Sequence, residues 1–241
     1  MGFQCRQFYL KDDRCAMKVS TDSLLLGGWV RTDGVSYAAD FGCGCGILSL
    51  MLAQRTHDTA HIDAYEYDGA AAQQAIENVD NSPWPSKVMV QQADVLKFVE
   101  PSYCYDLVIM NPPYFAAHLN SANSQRQLAR QGAAQEIWQP WLARAVQLLA
   151  PNGRIALVAP QQALASIVDA THAMQTPLAI IRHCNVRSVP QRQPYLVLLE
   201  LTRQGCEQEL ELEELTIREE NKYTDAFLQY TGAFYLRGTD N

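Results

Sequence analysis

The sequence Asn-Pro-Pro-Tyr at 111–114 follows a short apolar run and carries the residue types best suited to chemistry in this chain. The side-chain oxygen of Asn111 and the carbonyl oxygen of Pro112 are two acceptors, one for each hydrogen of an amino group. Consecutive prolines restrict the backbone and hold the Pro112 carbonyl rigidly in place. Tyr114 offers a ring face on which a planar substrate can stack. The turn therefore predicts a site that aligns the amino group of a planar molecule, with Asn111, Pro112 and Tyr114 as catalytic candidates.

A glycine-rich loop lies earlier in the chain, with the sequence Asp40-Phe41-Gly42-Cys43-Gly44-Cys45-Gly46 between a predicted strand and a predicted helix. Glycines at alternate positions let the backbone turn tightly and approach a ligand closely. A dinucleotide-binding fingerprint would need glycine where Ile47 stands, and a P-loop would need Gly-Lys followed by Ser or Thr. Phosphate is therefore not the expected ligand of this loop.

Two acidic residues follow the loop where further strands are predicted to end. Glu66 could accept hydrogen bonds from both hydroxyls of a ribose, and Asp94 could accept one from an adenine amine or simply cap a helix. With the glycine loop, these acids resemble the S-adenosylmethionine site of class I methyltransferases. The alternative is a helix-capping glycine turn with unrelated surface acids. The resemblance implies S-adenosylmethionine as the cofactor, S-adenosylhomocysteine as its product, and the following cofactor-binding residues: Thr21, Asp22, Asp40, Gly42, Gly44, Gly46, Glu66, Asp94 and Asn111.

Apolar runs of strand length alternate with helix-length segments, which is typical of a mainly parallel sheet covered on both faces. Strands are predicted at 35–41, 61–66, 87–91, 105–110, 154–159, 178–185 and 195–202, and helices at about 46–56, 68–80, 135–150 and 160–174. The connection 189–194 contains two prolines and suits an antiparallel hairpin. We expect an α/β, doubly wound, Rossmann-like methyltransferase fold, with a seven-stranded sheet that has one antiparallel strand at its edge. Ligands of such sheets bind beyond the carboxyl ends of the strands, so the loop and the turn should face one crevice.

The length of 241 residues predicts a single domain, 1–241, with an N-terminal extension (1–34), a core (35–203) and a C-terminal addition (204–241). Apolar residues make up 48% of the chain, which excludes disordered and collagen-like proteins. The sequence has neither an apolar stretch of membrane-helix length nor a signal-peptide core at its start, so we expect a cytoplasmic protein without membrane contact. The cysteines form no Cys-x-x-Cys pair and the histidines no cluster, which predicts reduced thiols and no metal.

Both ends of the chain carry further motifs, in the runs 8–27 and 217–236. Together with the motifs in the middle, they resemble the bacterial tRNA(Val) adenine-N6-methyltransferases, a family that modifies adenosine 37, immediately 3′ of the anticodon. The resemblance spans essentially the whole chain, although Ser20 and Ser23 stand where glycine is expected. It implies N6-methylation of that adenosine by a monomer, with tRNA as partner and no obligatory protein partner. Thr21 and Asp22 begin a predicted helix that either receives the methionine carboxylate of the cofactor or is only capped there.

The net charge of −7 argues against electrostatic binding of nucleic acid over the whole surface. However, four arginines and one glutamate lie within 178–203, which leaves a local basic face possible. Phe115 could stack on a neighbouring base, and the polar stretch 115–134 is long for a connection and typical of a lid or a substrate contact. The candidates for RNA contact, each also an ordinary surface residue type, are Arg14, Lys18, Phe115, Arg126, Arg130, Arg182, Arg187 and Arg192.

Other functions share the Asn-Pro-Pro-Tyr turn. A DNA or rRNA amino-methyltransferase is one alternative, but DNA enzymes of this kind usually carry a separate sequence-reading domain, for which the chain has no room. A glutamine N5-methyltransferase acting on a protein is another, but its relatives have a helical N-terminal domain, whereas only about 34 residues precede the first strand here. The non-enzymatic alternative is an RNA-binding module that keeps the fold without turnover, against which the intact turn argues.

Overall fold

The computed structural model describes residues 2–97, 101, 104–112, 138–205 and 209–235. The strands are β1 (Gly2–Gln4), β2 (Tyr9–Lys11), β3 (Tyr37–Phe41), β4 (His61–Glu66), β5 (Val88–Gln92), β6 (Tyr105–Met110), β7 (Leu149–Pro160), β8 (Leu178–Arg187), β9 (Leu196–Arg203), β10 (Glu211–Thr216), β11 (Arg218–Glu219) and β12 (Lys222–Tyr223). The helices are α1 (Thr21–Trp29), α2 (Ile47–Arg55), α3 (Gly69–Asp80), α4 (residues 138–148), α5 (Leu164–Ala173) and α6 (Asp225–Thr231).

The predicted α/β class is confirmed, but the described sheet has eight strands rather than seven, in the order β10-β8-β9-β7-β6-β3-β4-β5. The additional strand, β10, lies in the glutamate-rich segment beyond residue 203 and pairs in parallel with β8. The sheet therefore continues past the predicted core boundary. The reversed strand, β9, pairs antiparallel with both β7 and β8. It lies inside the sheet and not at the edge, so that part of the prediction was wrong.

Alternate residues of each central strand enter two different hydrophobic clusters, because successive side chains of a strand point to opposite faces. On β6, Leu107 and Ile109 pack with residues of α1, α2, α3 and α6, whereas Val108 and Met110 pack with residues of α4 and α5. Both faces of the sheet are thus covered by helices, as the near-continuous apolar strands require.

The helix predicted at 135–150 ends earlier than expected. Within the described residues α4 runs over 138–148, and β7 begins at Leu149, which pairs with Tyr105 across a register shift. Ala150 precedes Pro151, and a residue before proline disfavours helical angles, so the chain turns extended at this point. The helix predicted at 160–174 begins with a 3₁₀ turn, Gln161–Ala163, before α5.

The N-terminal and C-terminal segments of the chain pack together on one face of the sheet. Helix α1 crosses α6 so closely that a Cβ on Gly28 would lie 2.1 Å from the carbonyl oxygen of Tyr230. Phe227 of α6 and Phe234, which follows it, are buried in the same cluster as Leu24 and Leu25 of α1. The two ends of the chain therefore form one layer on this face of the sheet, where α1 contacts β7 and α6 contacts β10.

Candidate functional site

The glycine loop, the acid after β4 and the Asn-Pro turn lie at one edge of the sheet because their strands pair in register. Phe41 at the end of β3 pairs with Tyr65 of β4 on one side and with Met110 of β6 on the other. The parallel strands therefore end together, and the next residues along each strand are Gly42, Glu66 and Asn111. This confirms that the predicted motifs meet at the carboxyl edge.

The three glycines of the loop adopt positive φ angles of 74° at Gly42, 55° at Gly44 and 86° at Gly46. Non-glycine residues rarely adopt these angles, which is the physical reason for the repeated glycine. The space around Gly44 is open, so the backbone conformation and not crowding excludes a side chain there. The amide groups of Gly42 and Cys43 both donate to the Tyr65 carbonyl oxygen, at 2.8 and 3.0 Å, which ties the loop to β4.

Glu66 is held in place by backbone amides. The Gly44 N–H donates to its Oε2 at 2.8 Å, and the Asp68 N–H donates to its Oε1 at 2.9 Å. A carboxylate has about four acceptor positions, so both oxygens keep capacity for further donors. The carboxylate is therefore oriented beside the loop and able to accept the hydroxyls of a ribose.

A cavity of about 380 Å³ opens at this edge of the sheet. Its walls include loop glycines, acidic residues, the asparagine of the turn, part of the N-terminal segment and aromatic residues: Cys15, Ala16, Met17, Gly42, Gly44, Tyr65, Glu66, Tyr67, Asp68, Ala71, Ala93, Asp94, Val95, Leu96, Asn111 and Trp141. The cavity brings together four of the predicted cofactor residues besides Asn111. Gly46 lies outside this lining and serves as the N-cap of α2.

Asp94 lines the cavity, but both its oxygens already have partners. Its Oδ1 accepts from the Leu96 N–H at 3.2 Å, and its Oδ2 lies 2.9 Å from Lys97 Nζ. The Lys97 ammonium lowers the pKa of the Asp94 carboxyl. Asp94 therefore caps the turn that follows it, as the alternative interpretation expected. Its position in the cavity wall also allows it to accept from an adenine amine.

Asn111 is oriented by helix α1. Its Nδ2 donates to Ser23 Oγ at 3.0 Å, and both residues are buried. The opposite atom, Oδ1, is buried and has no hydrogen-bond partner among the residues that the structure describes. Buried polar atoms nearly always find partners, so an unpartnered acceptor in a cavity wall is the expected state of an atom that binds a ligand. Ser23 therefore turns the acceptor of Asn111 toward an incoming donor.

Asp40 is fully buried below the glycine loop. Its Oδ2 accepts from Ser49 Oγ at 2.6 Å, whereas its Oδ1 has no partner within the described part of the chain. Burial raises the pKa of the Asp40 carboxyl to about 7. Asp40 does not line the cavity as described, but its free acceptor would suit a cationic group placed at the loop.

Thr21 and Asp22 are the first residues of α1, which confirms the predicted helix start, with Ser20 as the N-cap. The Ser20 hydroxyl accepts from the Ser23 N–H at 3.4 Å. Neither Thr21 nor Asp22 is part of the described cavity wall. Burial raises the pKa of the Asp22 carboxyl.

The N-terminal segment that covers the cavity is fastened by α3. Asn78 donates to the carbonyl oxygens of Lys11 and Cys45, at 2.8 and 2.9 Å, and accepts from the Lys11 N–H at 2.9 Å. Gln74 accepts from the Arg14 N–H at 2.9 Å. The two polar residues are buried on the face of α3 that also carries Ala71 and Ala75. Two amide side chains four residues apart on an alanine-rich helix face are the sequence signal for this role.

The N-terminal cations proposed for RNA contact have partners within the protein. Arg14 forms two hydrogen bonds with the carboxylate of Glu77, at 2.9 and 2.7 Å. These bonds raise the pKa of Arg14 and lower that of Glu77. Lys18 Nζ donates to the Asp12 carbonyl oxygen and lies 3.8 Å from its Oδ1. Both side chains hold the segment in shape.

The C-terminal candidates divide into three kinds. Arg182 is buried, lies 4.0 Å from the centre of the Trp29 ring and pairs with Glu200 and Glu213. It cannot reach a phosphate, so that expectation was wrong. Arg187 pairs with Glu214, whereas Arg192 is exposed and forms no ion pair with a described carboxylate. The remaining candidates lie outside the described residues: Tyr114, Phe115, Arg126 and Arg130.

Within the described ranges no group of three or more His, Cys, Asp or Glu residues could hold a metal ion. Five described cysteines are buried as free thiols and Cys104 is an exposed free thiol. Among the helices that the structure describes, none has the length and apolar character needed to cross a membrane.

The chain is similar to a known family model and to solved structures. Residues 15–178 match the family model named methyltransferase small domain. Two solved structures share the fold: a predicted O-methyltransferase from Agrobacterium tumefaciens, with TM-score 0.69, 21% identity and coverage of 88% of this chain and 96% of the other, and a putative RNA methyltransferase from Pyrococcus horikoshii, with TM-score 0.53, 18% identity and coverage of 80% and 88%.

Two curated relatives are similar over almost their whole length. The tRNA1(Val) (adenine(37)-N6)-methyltransferase of Tolumonas auensis is 42% identical over 238 residues, which cover 98% of this chain and 97% of the relative. The protein of the same name from Haemophilus influenzae strain Rd is 37% identical over 237 residues, 98% of each chain. By this near-complete similarity, and by the motifs gathered at its carboxyl edge, the chain belongs to the family of the tRNA1(Val) (adenine(37)-N6)-methyltransferases.

Proposed function

We propose that this protein methylates N6 of adenosine 37 in tRNA1(Val), with S-adenosylmethionine as the methyl donor. The observation that carries the proposal is the buried Oδ1 of Asn111, in the wall of the cavity beside the glycine loop, which no described residue donates to. An acceptor in this position suits one hydrogen of an exocyclic amine. The relatives' names state the same base and atom.

The cofactor is assigned to the cavity because its walls match the parts of the molecule. Glu66 would accept the ribose hydroxyls, Asp94 the adenine amine, and the left-handed backbone at Gly42 and Gly44 keeps side chains away from the ligand. Tyr67 is 71% exposed at the rim and could cover the adenine ring. When bound, the sulfonium compound supplies an electrophilic methyl group.

The residues of the turn prepare the amine. Asn111 Oδ1 and the Pro112 carbonyl oxygen each accept one of its hydrogens, which draws the nitrogen lone pair out of conjugation and aims it at the methyl group. Tyr114, for which stacking on the adenine is proposed, lies outside the described residues. Such alignment supplies most of the rate acceleration, because the leaving sulfide needs little acid–base assistance.

The target base must leave the anticodon-loop stack to reach a site at the edge of the sheet. With a net charge of −7, the protein as a whole does not attract phosphate, so the RNA must be held by a local group of cations. We propose Arg192 from the described residues, with Arg126 and Arg130 from the segment after the turn, and Arg187 once it exchanges its bond with Glu214. We further propose that the protein acts as a monomer, and in the cytoplasm, where its tRNA substrate is found.

Nucleoside analysis tests the proposal directly. Unmodified tRNA1(Val) is incubated with the protein and labelled S-adenosylmethionine, digested and analysed by mass spectrometry, with a transcript in which adenosine 37 is replaced by guanosine as the matched control. We expect label in N6-methyladenosine from the first transcript alone. Label in the guanosine variant, in DNA, or on a protein glutamine instead of the tRNA would contradict the assignment.

A further inference from the structure

We propose that the loop between β8 and β9 forms a second nucleotide subsite, which holds a base adjacent to the target adenosine. This hairpin cavity, of about 630 Å³, is lined by Ser188, Gln191, Arg192, Gln193 and Tyr195. The inference rests on the proposed function, because it assigns the ligand as single-stranded RNA. It adds a recognition element for the substrate at a place separate from the cofactor cavity.

The reversed direction of β9 puts this cavity on the same side of the sheet as the catalytic turn. Tyr195 immediately precedes β9, and its carbonyl oxygen accepts from the N–H of Gln161, the residue after β7. Only β7 separates β9 from β6, which carries Asn111 at its end. With neighbouring strands about 4.8 Å apart, two spacings place the hairpin base about 10 Å from the strand of Asn111.

Helix α1 connects the two places. Ser23 of α1 contacts Asn111 at 3.0 Å. Its chain neighbour Asp22 lies close enough to Tyr195 that the Asp22 charge, added to the larger effect of burial, raises the pKa of the Tyr195 hydroxyl to about 12. Tyr195 and the start of this helix therefore share the edge of the sheet where the turn of Asn111 lies, which is where the nucleotide next to a bound adenosine would be placed.

The chemistry of the hairpin cavity fits an unstacked nucleotide. The Tyr195 side chain is 39% exposed and can provide a stacking face. Ser188, Gln191 and Gln193 offer neutral donors and acceptors of the kind that read base edges. Arg192 can bind a phosphate because no described carboxylate pairs with it, in contrast to Arg187. An aromatic ring, amides and one cation together are typical of single-stranded RNA contacts.

The test combines protein variants with altered RNA. Tyr195→Ala should raise the KM for tRNA about tenfold, the usual loss of one base–aromatic contact, and leave the cofactor Kd unchanged. Tyr195→Phe keeps the ring and should retain the wild-type KM. With the wild-type protein, a tRNA with an abasic nucleotide on one side of adenosine 37 should have a KM raised by the same factor. With Tyr195→Ala, the abasic nucleotide should raise the KM no further.

Arg192→Gln should lower the slope of log affinity against log salt by about 0.7, the value for one phosphate contact on a single strand. Arg31→Gln is the control, because it removes the same charge at Arg31, which pairs with Glu211 at the start of β10 and so lies at the opposite edge. If the protein methylates adenosine 37 but Tyr195→Ala has the wild-type KM, the subsite is wrong and the function stands. The same holds if Tyr195→Ala raises the KM and its effect multiplies with that of the abasic site. If the wild-type protein methylates no tRNA, the function fails and the subsite fails with it.

Discussion

The hydrogen bond from Asn111 Nδ2 to Ser23 Oγ, 3.0 Å long and buried, predicts that the two residues act as one unit in methyl transfer. In Asn111→Ala the amine loses an acceptor for a proton of a nitrogen that becomes positively charged. Hydrogen bonds to charged groups are worth about 1.5–3 kcal/mol, which corresponds to a roughly 10- to 150-fold lower rate. Ser23→Ala removes a neutral bond of about 0.5–1.5 kcal/mol, so the rate should fall roughly 2- to 12-fold.

The decisive measurement is a double-mutant cycle in single-turnover methylation of tRNA, with the cofactor Kd from calorimetry as the check on folding. Ser23→Ala should have no further effect once Asn111 is alanine, since the hydroxyl acts only through that amide. Ser20→Ala is the control, because it removes the N-cap hydroxyl of the same helix without touching Asn111. If Ser23→Ala lowers the rate by the same factor in both backgrounds, the hydroxyl does not work through Asn111 and the reasoning is refuted.

Three further outcomes follow from the structure. Glu66→Ala should weaken S-adenosylmethionine binding by about 1.5–3 kcal/mol in calorimetry, whereas Glu211→Ala, which removes an exposed carboxylate away from the cavity, should not. Equal affinities of the two variants would show that Glu66 does not bind the cofactor. Because the folded-state pKa of Asp40 lies above its unfolded value, the folded protein binds the extra proton, and stability falls as pH rises from 3.8 to about 7. In urea unfolding, the free energy of unfolding of the unchanged protein should fall with pH in this range by up to about 1.4 kcal/mol per pH unit more than that of Asp40→Asn. If the two proteins show the same pH dependence, Asp40 does not bind this proton. Arg182→Met leaves its buried carboxylate partner unpaired and should cost about 3–5 kcal/mol, against about 0–1 kcal/mol for the exposed pair in Arg31→Gln; similar losses in both would refute the distinction.

The sequence predicted those parts of the site that depend on local backbone chemistry. The alternate glycines of 42–46 and the proline turn after Asn111 impose their own geometry, so their places at the ends of β3 and β6 followed from strand prediction. Glu66 was found because it ends an apolar strand. These features need only a short stretch of chain to be recognised.

The parts that were missed depend on contacts between distant residues. Strand β10 was not predicted, because its glutamates gave no sign of their partners. In the structure Glu213 accepts from Trp29, Arg182 and Tyr230, which lie far from it in the chain. Because it pairs with Glu213, Arg182 is buried and not exposed at the surface. The role of Ser23 was equally hidden, since its partner Asn111 is 88 residues away.

Because the reversed strand β9 lies inside the sheet, the loops at the carboxyl edge form two groups that can vary separately. Strands β3 to β5 end in the loop and acids of the cofactor cavity, while the β8–β9 hairpin returns to the same edge on the far side of β6. A parallel strand in its place would have sent that connection to the opposite edge and required a crossover helix. Residues 188–195 can therefore change in length or sequence without disturbing the cofactor's half. Selection for a different RNA loop could act on this hairpin while the machinery around Asn111 stays intact.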